Sequence, residues 1–136
     1  MTRAELFPFL QKHRLGVQST VSPSGEPQAA VVGIGVTSEL EIIFDTLDTT
    51  RKCRNLRADP RIAFVIGWDA EITVQLEGIA DEPTGSERDR ILEAYFAAYP
   101  DGRERLRWPG ITHFRVRPTW IRYSNFGNPQ RIVEVK

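Results

Sequence analysis

The chain has 136 residues, the usual size of one domain, and its 18 basic and 18 acidic residues leave no formal net charge. That balance argues against a nucleic-acid or membrane partner held by overall charge, and no apolar run reaches the roughly 18 residues of a membrane helix. A single cysteine, Cys53, excludes an internal disulfide and suits a reducing compartment. We therefore expect one cytoplasmic domain over residues 1–136, without a secretion signal.

The N-terminal third predicts a helix and three strands. Residues 3–13 have a helical pattern that Pro8 breaks or kinks, with Leu6, Phe9 and Leu10 on one face. The three strands are predicted at 15–21, 28–36 and 40–44. Because 28–36 is almost wholly small or apolar, we expect both of its faces to be covered. The three strands are expected to form an antiparallel meander.

The rest of the chain combines further strands with short helices. The helices are predicted over 49–58, capped by Thr49 or Thr50 and ended by Asp59-Pro60, and over 86–99. The strands are predicted at 61–68, 71–80, 113–124 and 131–135. A β-bulge is expected near Gly78 and a basic loop over 103–109. Runs of strands interrupted by helices favour a mainly β (α+β) antiparallel barrel with short helical insertions over a doubly wound parallel sheet.

The segment between the third strand and the next helix carries the clearest chemical signal. Thr50, Arg51 and Lys52 open that helix, and Thr46 lies in the predicted loop before it. Free backbone N–H groups, the positive end of the helix dipole and two cations together favour a bound phosphate. From the residues alone, an ordinary threonine cap followed by a solvated basic face remains the alternative.

This segment and its surroundings resemble the pyridoxamine 5′-phosphate oxidase-like family of FMN-binding split β-barrels. The matching positions are Thr46, Thr50-Arg51-Lys52, Asn55-Leu56, Asp59-Pro60-Arg61-Ile62, Gly25-Glu26-Pro27 and Glu77-Gly78-Ile79-Ala80. The resemblance runs from Leu15 to Ala80 and is weaker toward the C-terminus. It implies a split barrel, an FMN cofactor, oxidoreductase activity on a small molecule, and a homodimer in which the second subunit completes the site.

The resemblance also implies roles for particular residues. Those that would hold the FMN phosphate are Thr46, Thr50, Arg51 and Lys52. Those that would lie along the isoalloxazine ring are Ala30, Val31 and Val32. Thr73 stands where the family often has a glutamine near the flavin, and Gln75 is the nearest glutamine, on the same face of a regular strand. Trp120 would stack near the flavin, and ordinary packing or a dimer contact is the alternative.

Departures from the family pattern bear on the substrate. True pyridoxamine phosphate oxidases carry an arginine and, further along the same strand, a lysine at the positions of Ala30 and Gly35, and that lysine serves the phosphorylated vitamin. Their C-terminal arginine–histidine segment has no clear counterpart, although Arg122 and Arg131 lie in the region. We therefore expect a relative with another substrate rather than an enzyme that makes pyridoxal phosphate.

Three alternatives stay open. In related split barrels the deazaflavin F420 replaces FMN, and its acidic tail would suit a basic groove at Arg103, Arg105 and Arg107. A flavin- or haem-binding carrier or sensor is the second, because no catalytic acid or base is evident. A barrel without any cofactor is the third, and in it Arg51 and Lys52 would be dispensable for ligand binding.

The remaining conspicuous residues have ordinary structural interpretations. His13 and His113 lack metal-ligand spacing, and we expect both at the surface or at a strand edge. Cys53 is expected to be buried against the barrel. On the helix predicted over 86–99, we expect Tyr95, Phe96 and Tyr99 to pack in the core. Trp108 suits either a substrate lid or a surface anchor.

Overall fold

The computed structural model describes all 136 residues, Met1–Lys136, as one antiparallel sheet with four helices. The helices are α1 (Arg3–Lys12), α2 (Arg51–Ala58), α3 (Gly85–Ala98) and α4 (Gly102–Arg105). The strands are β1 (Leu15–Val21), β2 (Pro27–Gly33), β3 (Gly35–Val36), β4 (Ile42–Leu47), β5 (Arg61–Ile66), β6 (Ile72–Asp81), β7 (Ile111–Asn125) and β8 (Arg131–Glu134). None of the helices combines the length and apolar character that crossing a membrane requires.

The sheet curls into a barrel because its two ends belong to one bent stretch of chain. The hydrogen-bonded order is β2-β1-β5-β6-β7-β4-β3, with β8 beside β7. Only Ile34 separates β2 from β3, and its N–H donates to the Arg14 carbonyl at 2.9 Å. The prediction of one unbroken strand over 28–36 is therefore wrong, since the chain bends at Ile34 to exchange β1 for β4 as its partner. The predicted antiparallel barrel is confirmed.

β2 is more open than its composition predicts. Within β2 only Val32 is buried, and Val31 is 59% exposed. The expectation that both faces of this stretch are covered is wrong for a single chain, because the helices pack mainly against β1, β3 and β4. An apolar edge strand thus remains at the surface.

Two apolar clusters lie on the two sides of the sheet. The larger has 18 buried residues inside the barrel, where the Phe44 ring centroid is 6.0 Å from that of Phe64 and 5.6 Å from that of Phe114. The smaller lies beneath α3 and consists of Ile43, Ile91, Leu92, Tyr95 and Phe96. The expectation that Tyr95 and Phe96 are core is confirmed, and Tyr99 packs half-buried against them.

α1 runs without interruption from Arg3 to Lys12, so the predicted break at Pro8 does not occur. Thr2 and Glu5 form a capping box that satisfies backbone N–H groups at its start. Pro8 is exposed, whereas Leu6 and Leu10 are fully buried in the barrel core. The cap and the burial of these leucines offset the backbone hydrogen bond that a proline inside a helix forfeits.

Two further predictions concern the second half of the chain. The pairing of β6 with β7 shifts register between Glu77 and Gly78, which confirms the predicted bulge. A Cβ at Gly78 would lie 2.6 Å from the Arg117 carbonyl oxygen, so this close approach requires glycine. The basic stretch 103–109 was predicted as a loop, but it begins inside α4, because Arg105 fastens this turn to Asp45 with a 2.7 Å hydrogen bond.

A network of buried ion pairs, not foreseen in the sequence, fastens α3 to the barrel. Arg115 of β7 is 3% exposed, and its guanidinium donates to Asp81 at 2.7 and 2.9 Å and to Glu87 at 2.6 Å. Glu41 is 5% exposed and accepts hydrogen bonds from Arg90 at 2.8 and 3.0 Å. These pairs join α3 to the ends of β6 and β7 and to the residue preceding β4.

Candidate cofactor-binding site

The beginning of α2 is built on a pair of threonine hydroxyls. Thr46 proves to be the penultimate residue of β4 rather than part of a loop. Its Oγ1 lies 2.8 Å from Thr50 Oγ1, and the Thr50 hydroxyl donates to the Leu47 carbonyl at 2.9 Å. Thr50 is the N-cap of α2, as predicted, and its Oγ1 accepts from the Cys53 N–H at 3.4 Å. Both hydroxyls are thereby held beside the positive end of the helix dipole.

Two cations follow directly in the first turn of α2. Arg51 is exposed and Lys52 half-buried, and neither forms an ion pair or a side-chain hydrogen bond. They line a pocket of about 230 Å³ between α2 and the first two strands, which we name the α2 pocket. Its other lining residues are Gln18, Thr20, Gln28, Ala29 and Ala30. Three predicted site residues, Ala30, Arg51 and Lys52, are thus brought together.

Buried amides fix the floor of the α2 pocket. Asn55 of α2 donates to Thr20 Oγ1 at 3.0 Å and to Gln28 Oε1 at 2.7 Å, which locks the helix to β1 and β2. Gln18 is 2% exposed, and its Oε1 has no hydrogen-bond partner. A buried carbonyl oxygen without a donor is costly, so this atom is suited to a ligand that carries one. Gln18 was not among the predicted site residues, although it is a polar residue at an inward position of an alternating strand.

The three residues predicted to lie along a flavin ring do not face the same way. Strand alternation points Ala30 toward the α2 pocket, buries Val32 in the barrel core, and turns Val31 to the outer face. Val31 lies in a row of paired residues that runs through Val17 and Val65 to Gln75. Ala30 and Val32 therefore share one face of β2, and only the backbone of Val31 borders that face.

The other predicted cofactor contacts lie across the sheet from α2. Thr73 and Gln75 share the outer face of β6, as predicted, and Gln75 is three strands from Val31, or about 14 Å. Thr73 Oγ1 is buried without a hydrogen-bond partner. Trp120 is half-buried on β7, and its Nε1 donates to Glu134 at 3.1 Å. A single chain does not bring these three residues to Arg51 and Lys52.

Comparison with known proteins places this arrangement in a family. Residues 2–125 match the family model described as pyridoxamine 5′-phosphate oxidase. The chain belongs to the pyridoxamine 5′-phosphate oxidase family. It is 34% identical over 93 residues to the pyridoxine/pyridoxamine 5′-phosphate oxidase of Rubrobacter xylanophilus, a match that covers 68% of this chain and 41% of the relative. The chain therefore spans about two-fifths of that relative's length.

Solved structures share the split-barrel fold of this family. A haem-binding protein from Mycobacterium smegmatis superposes with a TM-score of 0.83 at 21% identity, covering 98% of this chain and 58% of its own. A pyridoxamine 5′-phosphate oxidase-related, FMN-binding protein from Nostoc punctiforme superposes with a TM-score of 0.69 at 15% identity, covering 96% of this chain and 84% of its own. At these identities the likeness establishes the fold alone.

One departure from the pyridoxamine 5′-phosphate oxidase pattern has a structural counterpart. Gly35, aligned in the sequence analysis with a substrate-binding lysine, lies against the backbone of α3. A Cβ at this position would be 2.7 Å from Tyr95 Cα and 3.0 Å from the Ala94 carbonyl oxygen. In this member of the family α3 therefore occupies the space into which a longer side chain at residue 35 would extend.

The histidines and the cysteine lie outside the α2 pocket. The expectation of a surface or edge position for His113 is wrong: it is 7% exposed because β7 passes beneath α3, where its ring meets Tyr95 and Phe96 edge-on at 6.0 and 6.4 Å. Burial lowers the pKa of His113. His13 is half-buried, with Nδ1 2.7 Å from the Phe9 carbonyl oxygen. Cys53 is buried, as predicted, and burial raises the pKa of its thiol.

Proposed function

We propose that the protein is an FMN-dependent oxidoreductase that acts as a homodimer on a small molecule other than the phosphorylated vitamin. The observation that carries this proposal is the pair of cations without partners, Arg51 and Lys52, beside two hydroxyls at the start of α2. A partly buried cation normally has a partner, so the half-buried Lys52, with exposed Arg51 beside it in the pocket lining, favours an anionic ligand. A flavin phosphate suits both this site and the family.

Each part of FMN can be assigned to particular residues at or beside the α2 pocket. Arg51 and Lys52 would bind the phosphate together with the Thr50 hydroxyl. The unpartnered Gln18 oxygen would accept a hydrogen bond from a ribityl hydroxyl, and small Ala30 would let the ring approach the β2 backbone. The chain's own residues would thus bind and orient the cofactor, while bound FMN supplies the hydride or electron chemistry.

Two features support a site shared between two subunits. The α2 pocket, at about 230 Å³, is smaller than the roughly 300–1,000 Å³ usual for cofactor sites. The outer face of the sheet exposes apolar side chains, with Val31 at 59%, Ile79 at 43% and Val65 at 38%. We propose that this face meets a second copy, so that the partner's Thr73, Gln75 and Trp120 complete the flavin site. The buried, unpartnered Thr73 hydroxyl is consistent with a contact that one chain lacks.

Pyridoxal phosphate formation is not the proposed reaction. The positions aligned with the arginine and lysine of the true oxidases hold Ala30 and Gly35, and α3 closes the space at Gly35. F420 is also less well supported than FMN. Of the three arginines considered for its acidic tail, Arg105 is bound to Asp45 and Asp101, and Arg103 lies 4.7 Å from the Phe96 ring centroid.

The experiment that tests the proposal is a titration of the purified protein with FMN, followed by flavin fluorescence. The double variant Arg51→Ala with Lys52→Ala removes both phosphate contacts and is expected to weaken binding by about 100-fold or more. The matched control, Arg54→Ala with Lys12→Ala, removes the same two charges from exposed positions outside the pocket and should bind like wild type.

A turnover assay distinguishes an oxidoreductase from a flavin-binding carrier. FMN-loaded wild-type protein is expected to oxidise a reduced nicotinamide and pass the electrons to an acceptor faster than free FMN does. Equal FMN affinity in wild type and the double variant would contradict the proposed site. Tight FMN binding without turnover would contradict the oxidoreductase and leave the flavin-binding carrier.

A further inference from the structure

A second cavity shares no residue with the α2 pocket. Its volume is about 370 Å³, and it is bounded by the last turn of α2, the segment that leads into α3, and the start of β7. We name it the Arg88 cavity, after the arginine in the first turns of α3 that lines it. Nothing in the FMN proposal uses this cavity.

Arg88 is unusual among the arginines of this chain. Four arginines are at least partly buried: Arg88, Arg105, Arg115 and Arg122. Arg105 and Arg115 are held by carboxylates, and the Arg122 guanidinium lies 5.1 Å from the Trp120 ring centroid. Arg88 alone has no carboxylate within 4.0 Å, no side-chain hydrogen bond and no aromatic ring beneath it. A half-buried guanidinium without a partner is suited to an anionic ligand.

His113 provides a second, independent sign of a missing ligand. His113 lines the same cavity, is 7% exposed as a residue, and has a buried Nε2 without a hydrogen-bond partner. A buried ring nitrogen is normally satisfied by protein or by a bound group. Two groups that bind oxyanions thus face one cavity, each without a partner.

The surrounding charges leave Arg88 as the cation available for binding. Arg57 also lines the cavity, but its guanidinium is occupied by a bidentate pair with Glu82, at 3.0 and 3.1 Å. Asp48, in the turn before α2, also lines the cavity, is exposed and makes no side-chain hydrogen bond. Thr84, the N-cap of α3, makes no side-chain cap hydrogen bond, so the first N–H groups of this 14-residue helix are not capped.

We propose that the Arg88 cavity is a second ligand site, which binds the carboxylate or phosphate group of a small organic molecule through Arg88 and His113 at the start of α3. Asp48 sits where it would accept a hydrogen bond from a hydroxyl or amine elsewhere on the same molecule. The site is independent of flavin binding, because its residues and those of the α2 pocket do not overlap.

The test follows the imidazole resonances of the two histidines by NMR while inorganic phosphate or acetate is added at constant ionic strength. His113 is expected to shift with saturation and His13 to stay unchanged, so His13 serves as an internal control. Because an adjacent anion favours the imidazolium form, the pKa of His113 should rise on binding. A response to both ions assigns the site to oxyanions in general, and a response to phosphate alone assigns it to phosphorylated molecules.

Variants distinguish this cavity from the α2 pocket. Arg88→Ala should weaken binding by about tenfold or more, Arg88→Lys should restore part of it, and Arg107→Ala, an exposed arginine without an ion pair, should have no effect. The Arg51→Ala, Lys52→Ala variant should retain the His113 response. The proposal is overturned by the absence of a saturable His113 shift with either ion, by a shift that Arg88→Ala leaves unchanged, or by a shift that disappears with Arg51 and Lys52.

Discussion

The cations around α3 and those at the start of α2 are used in different ways. Arg90 of α3, Arg105 of α4 and Arg115 of β7 are each held by two or more carboxylates. At the start of α2, Arg51 and Lys52 have no carboxylate partner. The first set fastens a helix onto the barrel, whereas the second is available to a ligand. Charge alone therefore does not indicate a binding site in this molecule, and unpaired charge that lines a pocket is the better guide.

The same contrast extends to two regions of the outer face of the sheet. The region beneath α3 is sealed by Tyr95, Phe96 and the ion pairs of Arg115. The region formed by β2, β1, β5 and β6 leaves Val31 and Val65 open to solvent. One side is completed by the chain itself, and the other is the side where a second subunit is proposed.

The largest expected effect comes from breaking the sealed side. Arg115→Met leaves Glu41, Asp81 and Glu87 without their buried cation, and we expect the free energy of unfolding to fall by about 3 kcal/mol. Arg90 still pairs with Glu41, which keeps the loss at the lower end of the range for such changes. Denaturant unfolding measures it. Arg117→Met, at an exposed position two residues further along the same strand, should change stability by less than about 0.5 kcal/mol.

A comparison with the open side sharpens this result. Arg51→Ala with Lys52→Ala removes two cations yet leaves no carboxylate unpaired, so stability should change by less than about 0.5 kcal/mol while FMN affinity falls. A loss of stability as large as that of Arg115→Met would contradict the distinction between structural and ligand-binding cations.

The next effect concerns the open face of the sheet. Val65→Asp places a charge in the middle of the proposed dimer contact, and we expect the dissociation constant of the dimer to rise by about 100-fold or more. Sedimentation velocity at several concentrations measures it. Leu106→Asp, at an exposed apolar position beyond α4, is the matched control and should leave the assembly unchanged. A wild-type protein that remains monomeric with FMN bound would remove the basis for a shared site.

The smallest effect is a dependence of stability on acid pH. Hydrogen bonds from Arg90 and Arg115 lower the pKa of the Glu87 carboxyl from 4.5 to about 2. Such a carboxyl contributes its full stabilisation at pH values above the pKa that it has in the unfolded chain. This contribution is lost as the pH falls from 4.5 toward 2. Glu87→Gln should therefore be less stable than wild type near neutral pH, and the two unfolding curves should converge in acid.

Glu93→Gln provides the control for that measurement. Glu93 is exposed on the same helix and forms no ion pair, so its replacement should follow the wild-type pH profile. A constant difference between Glu87→Gln and wild type across the acid range would mean that Glu87 acts by packing rather than by charge.

Local sequence patterns predicted much of the fold. The Thr50 cap, the glycine at the β6 bulge and the aromatic stripe of α3 were all predicted, because each depends on residues close together in the chain. The predicted break at Pro8 does not occur because the burial of Leu6 and Leu10 outweighs the helix-breaking effect of one proline. The bend at Ile34 was not predicted, because the chain bends there to change its pairing partner from β1 to β4. No local sequence pattern indicates such a change.

The sequence by itself determined the barrel class, the family and the cluster of hydroxyls and cations at α2, since these rest on alternation, capping and contiguous motifs. Only the tertiary structure decided which charges are paired. Arg115 meets Asp81 and Glu87 from 34 and 28 residues away, and Gln18 of β1 lines the same pocket as Arg51 of α2. Spacing along the chain cannot show such partners, because burial and hydrogen bonding between distant residues arise only when the sheet has curled and the helices have packed onto it.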